Sequence, residues 1–191
     1  EEISKQCVLD AHQENVVAVE LRFAPHSMAR LKGLDPRLVT EAVIRGVRAG
    51  EKETGVVAGL VMIIPRQLAP EVALQIVALA AEFASKGVAG IDLAANEFKF
   101  PPAPFAPAFR EAERLGLRRT LHAGEALGPE SVRVAIEDCH AERIGHGVRV
   151  FSDAPLVDRI LKSGIVLEMC PTSNVQTGAV ASLKDHPLKK F

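Results

Sequence analysis

Six short apolar runs recur along the chain, separated by polar stretches with helical patterning. They are VVAVELRF (16–23), VVAGLVMII (56–64), VAGIDLAA (88–95), RTLHA (119–123), RIGHG (143–147) and GIVLEMC (164–170). Most are nearly continuous in Val, Ile, Leu and Ala instead of alternating with polar residues. That pattern predicts strands covered on both faces, as in a parallel sheet.

The intervening stretches carry helix punctuation. Asp35-Pro36 offers an N-cap and a proline at the first helical position, after which Val39, Val43 and Val47 recur at helical spacing. Pro70 opens a second stretch whose stripe is Val72, Ile76, Leu79, Ala80 and Phe83, and Gly87 is a natural stop. PAFREAERLG ends at Gly116, and Gly128-Pro129 opens PESVRVAIEDC. Asp153 can cap APLVDRILKSG, with Leu156, Val157, Ile160 and Leu161 facing inward and Gly164 after them. Ahead of the first strand, Ile3, Cys7 and Ala11 recur at helical spacing as well.

Strands that alternate with helices at intervals of roughly 20 to 40 residues make βαβ units. Two architectures compete. A doubly wound sheet calls for a glycine-rich phosphate loop after its first strand, and Arg22-Phe23-Ala24-Pro25 is not one. A (βα)₈ TIM barrel gathers functional residues at the C-terminal ends of several strands. Polar residues do cluster there: Glu20 and Arg22, Arg66 and Gln67, Asn96 and Glu97, His122 and Glu125, His146, Glu168 and Asn174. The barrel is therefore the expected fold. The 191 residues supply about six βα units, whereas a closed barrel takes about 250 residues. The expectation is one domain over 1–191, an incomplete barrel. The chain starts without Met and stops in a loop-like stretch, so it reads as a piece of a longer protein.

Composition narrows the function classes. A quarter of the residues are charged and the formal net charge is −1, which leaves no basic footprint for nucleic acid or an anionic membrane surface. No apolar run reaches the 18 or so residues that a membrane span needs. Cys7, Cys139 and Cys170 are odd in number and widely spaced, which speaks for a reducing compartment, the cytoplasm, and against a disulfide framework.

The candidate chemistry lies in TLHAGEALGPESV (120–132) and ERIGHGVRV (142–150). His122 closes one strand, Glu125 follows in the loop before a helix, and His146 closes the next strand. In a parallel barrel these neighbours converge on one rim, where two imidazoles and a carboxylate can hold a metal or move protons. Gly124, Gly145 and Gly147 let the backbone turn sharply or come close to a ligand.

Five motifs in order carry a resemblance: VVAVELRFAPH, VAGIDLAANE, TLHAGEALGPESV, ERIGHGVRV and GIVLEMCPTSNVQTGAV. Together they resemble the adenosine deaminase family from residue 16 to about residue 180. The resemblance implies a (βα)₈ barrel, here from its second to its seventh strand. It also implies one Zn²⁺ and hydrolysis of the 6-amino group of an adenine-type nucleoside. By this resemblance His122 is a zinc ligand, Glu125 the acid that protonates purine N1, and His146 the group that steadies the attacking hydroxide. Attack at C6 pushes electron density onto N1, and an acid placed there offsets the lost aromaticity. Such a glutamate must be protonated when substrate binds, so burial should raise its pKa. The other zinc deaminases use HxE with PCxxC, a pattern that this sequence lacks.

The chain departs from the family pattern in three places. The family's His-x-His pair and its Asp-Asp pair are absent, which leaves one of four zinc ligands. The 191 residues by themselves are therefore expected to be inactive. AANE (94–97) stands where the family has AGDE, so Ala95 keeps the N–H offered to purine N3 but adds a methyl, and Asn96 replaces an acid. The expected partner is a purine nucleoside, with adenine or aminodeoxyfutalosine as competing substrates. A metal-free barrel relative with a binding role is the reading from a different class. Oligomeric state is not legible.

The remaining polar residues read as structural. Glu20 and Arg22 are expected to form a rim ion pair, Glu97 to be a structural carboxylate and Asn174 to satisfy loop backbone. Asp92 can point into the barrel but has no evident partner. His12, His26, His140 and His186 read as surface or packing residues. Phe98, Phe100 and Phe105 either line a lid or pin a proline-rich loop.

Overall fold

A computed structural model describes residues 1–190. Six strands, β1 (Ala18–Phe23), β2 (Val57–Pro65), β3 (Val88–Ala94), β4 (Arg118–Ala123), β5 (Arg143–His146) and β6 (Val166–Glu168), coincide with the six apolar runs. Every neighbouring pair is parallel, and spatial order follows chain order from β1 to β6. A doubly wound sheet reverses its order at a switch point. This one does not, and it curls as an incomplete α/β barrel. Contacts between its two ends prove the curl: Arg22 on β1 reaches Glu168 on β6 at 2.5 Å, and Glu20 reaches Arg143 on β5 at 2.5 Å.

Among the described residues there are eight α-helices: α1 (Glu2–Gln13), α2 (Pro25–Arg30), α3 (Pro36–Thr54), α4 (Pro70–Glu82), α5 (Ala106–Arg114), α6 (Pro129–Glu137), α7 (Ala154–Ser163) and α8 (Pro171–Gln176). The anticipated punctuation is in place. The Asp35 side chain accepts from Arg37 N–H at 2.8 Å, Asp153 accepts from Leu156 N–H at 3.0 Å, and Gly164 ends α7 in a left-handed conformation. The short helices α2 and α8 lie where no periodicity announces them, because six residues are too few to show one. Among the described residues no helix is long and apolar enough to cross a membrane.

The core lies between sheet and helices. Leu60, Met62, Ile64, Ile91, Leu93, Leu121 and Ile144 alternate outward on the strands and meet Ile76, Val77, Phe109, Ala112, Val132 and Ile160. Two stripe assignments are corrected. In α1 the buried residues are Ser4 and Val8, while Ile3 and Cys7 are exposed, because the face pressed on α3 carries the small residues that let the two helices approach. In α7, Leu156 and Ile160 are buried but Leu161 is 62 % exposed, one step too far around the helix.

The other strand positions point inward. Arg22, Asp92, His122, Arg143 and Glu168 line the curl, so charged groups share the barrel interior with aliphatic β2 residues such as Val61. The expected Glu20–Arg22 pair does not form. Glu20 binds Arg143, and Arg22 binds Glu168 and Asp92, since residues two apart on a strand point the same way but partners come from across the barrel.

Candidate active site

β4 and β5 are in register with His122 opposite Gly145 and Ala123 opposite His146. Gly145 spares His122 a close contact there: a Cβ on it would stand 3.0 Å from His122 Nδ1, and the ring would have to give by a few tenths of an ångström. β5 then ends abruptly. His146 has φ +66° and Gly147 φ +66°, two successive left-handed residues, the first of them costly for a side chain with a Cβ. The turn brings the His146 ring edge-on to His122, with centroids 5.0 Å apart, and sets His146 Nε2 3.4 Å from Glu125 Oε2. His122, Glu125 and His146 therefore converge as expected. His146 is 7 % exposed, and the Glu125 and His122 side chains are partly open to the rim. Burial pushes the His146 imidazole below its ordinary pKa, against the opposing pull of Glu125, so the neutral ring is favoured.

Asp92 has partners after all, which corrects the expectation that it has none. Its Oδ1 lies 3.0 Å from His122 Nδ1, and its Oδ2 is 3.2 Å from Arg22 Nε, a charge contact without hydrogen-bond geometry. Its side chain is fully buried. A carboxylate on Nδ1 orients the ring and leaves Nε2 free, the arrangement that metal-ligating histidines use.

Glu97 proves structural, as expected, in a particular way. Its carboxylate accepts from the backbone N–H of Gly124 (2.7 Å), Glu125 (3.1 Å), Ala126 (2.7 Å) and Leu127 (3.1 Å), and from the Ser131 hydroxyl (2.5 Å). It holds the whole turn that carries Glu125. Burial alone would raise its pKa, but Ser131 and the amides of Leu127, Ala126 and Gly124 outweigh burial and hold the carboxyl below the usual carboxylate value. Arg66, 1 % exposed, braces the same rim by donating to the carbonyls of Phe100 (2.8 Å) and His122.

The structure corrects the reading of Asn174 and, of the two alternatives for His186, surface or packing, selects the buried one. The Asn174 side chain bonds other side chains instead of loop backbone; it is fully buried and its Nδ2 lies 2.9 Å from His146 Nδ1 and 3.4 Å from Glu125 Oε1. His186 is buried behind it, with Nε2 3.1 Å from Asn174 Oδ1. Thr177 Oγ1 donates to Glu125 Oε1 at 2.9 Å, and Arg149 Nε donates to the Glu125 carbonyl at 2.7 Å. No sequence signal marks Thr177 or His186, since both lie in irregular segments far along the chain.

Ala95 and Asn96 immediately precede Glu97, which holds the turn carrying Glu125. Both are exposed at the end of β3, and Asn96 Oδ1 accepts from Lys99 N–H at 2.9 Å, closing a turn. Ala95 has φ +85°, a conformation suited to glycine. Phe105 is buried and pins its loop, while Phe98 is 73 % exposed.

The donor chemistry fits a metal at one position. His122 is held as a ligand would be, yet among the described residues no three His, Cys, Asp or Glu side chains gather as a metal group. Four-coordinate zinc needs more than this set.

Parallel βα order with a histidine–carboxylate cluster on its rim puts the chain in the βα-barrel class. The family model described as Adenosine deaminase matches residues 1–191, and the chain belongs to the adenosine deaminase family. It is 43 % identical over 190 residues to an adenosine deaminase of Serratia proteamaculans, covering 99 % of this chain and 57 % of that one. It superposes on an adenine deaminase from Arthrobacter aurescens with TM-score 0.89 and 28 % identity, covering 98 % of this chain and 57 % of that one. It also superposes on a Burkholderia ambifaria amidohydrolase with bound Zn with TM-score 0.91 and 28 % identity, covering 98 % and 53 %. The chain thus spans a little over half the length of the curated relatives it matches.

Proposed function

We propose that this chain is the central part of a catalytic domain that hydrolyses the 6-amino group of adenosine or a close purine nucleoside. The observation that carries the reading is the convergence of His122, His146 and Glu125, with His122 anchored on Asp92. The similarity to an adenosine deaminase at 43 % identity supports the nucleoside as substrate.

Water adds its hydroxyl to C6 while Glu125 protonates N1 and recovers a proton from that water; the C6 hydroxyl proton then passes to the amino nitrogen as the C6–N bond breaks, leaving the 6-oxo purine and ammonia. Glu125 is the acid toward N1; its turn is fixed by Glu97, and its carboxylate is aimed by Thr177 and Asn174. His146 faces the same space and steadies charge that develops on the attacking oxygen. His122 would hold zinc through Nε2, and zinc would supply a lowered pKa for the attacking water. A complete zinc site would need further ligands besides His122, so these 191 residues alone would not deaminate.

The test is Glu125→Gln in the full chain. Turnover on adenosine should fall by about 10²–10⁴-fold, the range that a positioned acid supplies, while zinc content stays equal to wild type. A loss of less than tenfold would remove Glu125 from this role. Assays on adenosine, deoxyadenosine, adenine and aminodeoxyfutalosine rank the substrates.

A further inference from the structure

A chain of hydrogen bonds runs behind the rim, and only its first member has a polarity set by covalent structure. The backbone N–H of Leu188 donates to His186 Nδ1 at 3.1 Å. That nitrogen must carry a lone pair, so the proton of neutral His186 is on Nε2. His186 Nε2 faces Asn174 Oδ1 at 3.1 Å, which makes the amide oxygen the acceptor and turns Nδ2 the other way. Nδ2 then donates to His146 Nδ1 at 2.9 Å. His146 Nδ1 is therefore the acceptor, and its ring proton is on Nε2, the nitrogen 3.4 Å from Glu125 Oε2.

We propose that Asn174 and His186 are positioning residues that fix His146 as its Nε2–H tautomer, through donor and acceptor polarity handed on from the Leu188 amide. The opposite tautomer would set N–H against N–H at Asn174, or would force a flipped amide to meet His186 Nε2–H with an NH₂ group. Asn174 is fully buried, and His146 and His186 are nearly so, which leaves little room for water to repair either conflict. The consequence is chemical. His146 presents a donor, not a base, to the side of the site where Glu125 stands. The value of that donor for deamination rests on the function proposed above; the tautomer itself does not.

Long-range ¹H–¹⁵N correlation spectra of the full chain, at mildly alkaline pH, read the tautomer directly. The expected wild-type result is a protonated Nε2 and a bare Nδ1 on His146. Asn174→Asp, which puts an acceptor against Nδ1, should move the proton to Nδ1. His186→Gln keeps a donor toward Asn174 and should retain Nε2–H, whereas His186→Leu releases the amide and should give a mixture. In the zinc-loaded protein, Asn174→Asp should lower kcat by about 10–100-fold with a smaller change in KM. A wild-type His146 protonated on Nδ1 would overturn the proposal, whatever the variants do. So would an unchanged tautomer in a folded Asn174→Asp. If that variant does not fold, an unmixed Nε2–H signal in His186→Leu overturns it as well. Wild type with the stated tautomer but no turnover on any purine would sink the deaminase reading and leave the relay standing.

Discussion

At the scale of single residues, Glu97 shows how one buried carboxylate can shape a catalytic turn. Five donors converge on it, and Glu97→Gln would set an amide against some of them. The expected cost is about 2 kcal/mol, as for a hydrogen bond to a charged group. The pH dependence has a definite sign. The folded carboxyl is held below its ordinary value of 4.5, so its stabilising contribution is complete above that value and is lost as pH falls through the folded pKa. The gap in melting temperature between wild type and Glu97→Gln should therefore be full at neutral pH and narrow below about pH 4.5; a constant gap would contradict this account. Ala95 is the opposite case, a residue that resists its own backbone. Left-handed conformation costs a residue with a Cβ about 1–2 kcal/mol, and glycine gives back about 0.5–1 kcal/mol through its freer unfolded state. Ala95→Gly should thus raise stability by up to about 1.5 kcal/mol in denaturant titration.

At the scale of elements, the meeting of β4 and β5 sets the site. Gly145 leaves the space that the His122 ring fills, so Gly145→Ala should crowd the ring away from Asp92 while the strand itself survives. The expected outcome is zinc affinity lowered by about tenfold or more in competition with a chelator, with far-ultraviolet circular dichroism unchanged. Much at this scale is legible in sequence. The strands and the longer helices fall where apolar continuity, Asp35 and Asp153 caps and Pro–Gly punctuation place them, because these are local signals. What misleads is facing. Ile3, Cys7 and Leu161 have the spacing of a buried stripe, but the neighbour that each helix meets selects a different face.

At the scale of the whole molecule, charge inside the curl ties the first strand to the last. Arg22 meets both Glu168 and the fully buried Asp92, and Asp92 in turn holds His122. Removing the guanidinium strands a buried carboxylate, so Arg22→Leu should destabilise the fold by about 3 kcal/mol in denaturant titration. A change under ~0.5 kcal/mol would mean that Asp92 does not depend on Arg22. The sequence by itself determined the parallel βα order, the barrel over the doubly wound sheet, the family motifs, and the rim positions of His122, Glu125 and His146. All of these follow from local periodicity and short motifs. Only the tertiary structure decided what those groups rest on. Asp92, Glu97, Asn174, Thr177 and His186 come from separate elements, and His186 is 40 positions beyond His146 in the chain. Their pairing depends on which side chains the curl of the sheet brings within about 3 Å, the reach of a hydrogen bond. Residue spacing along the chain carries no record of that.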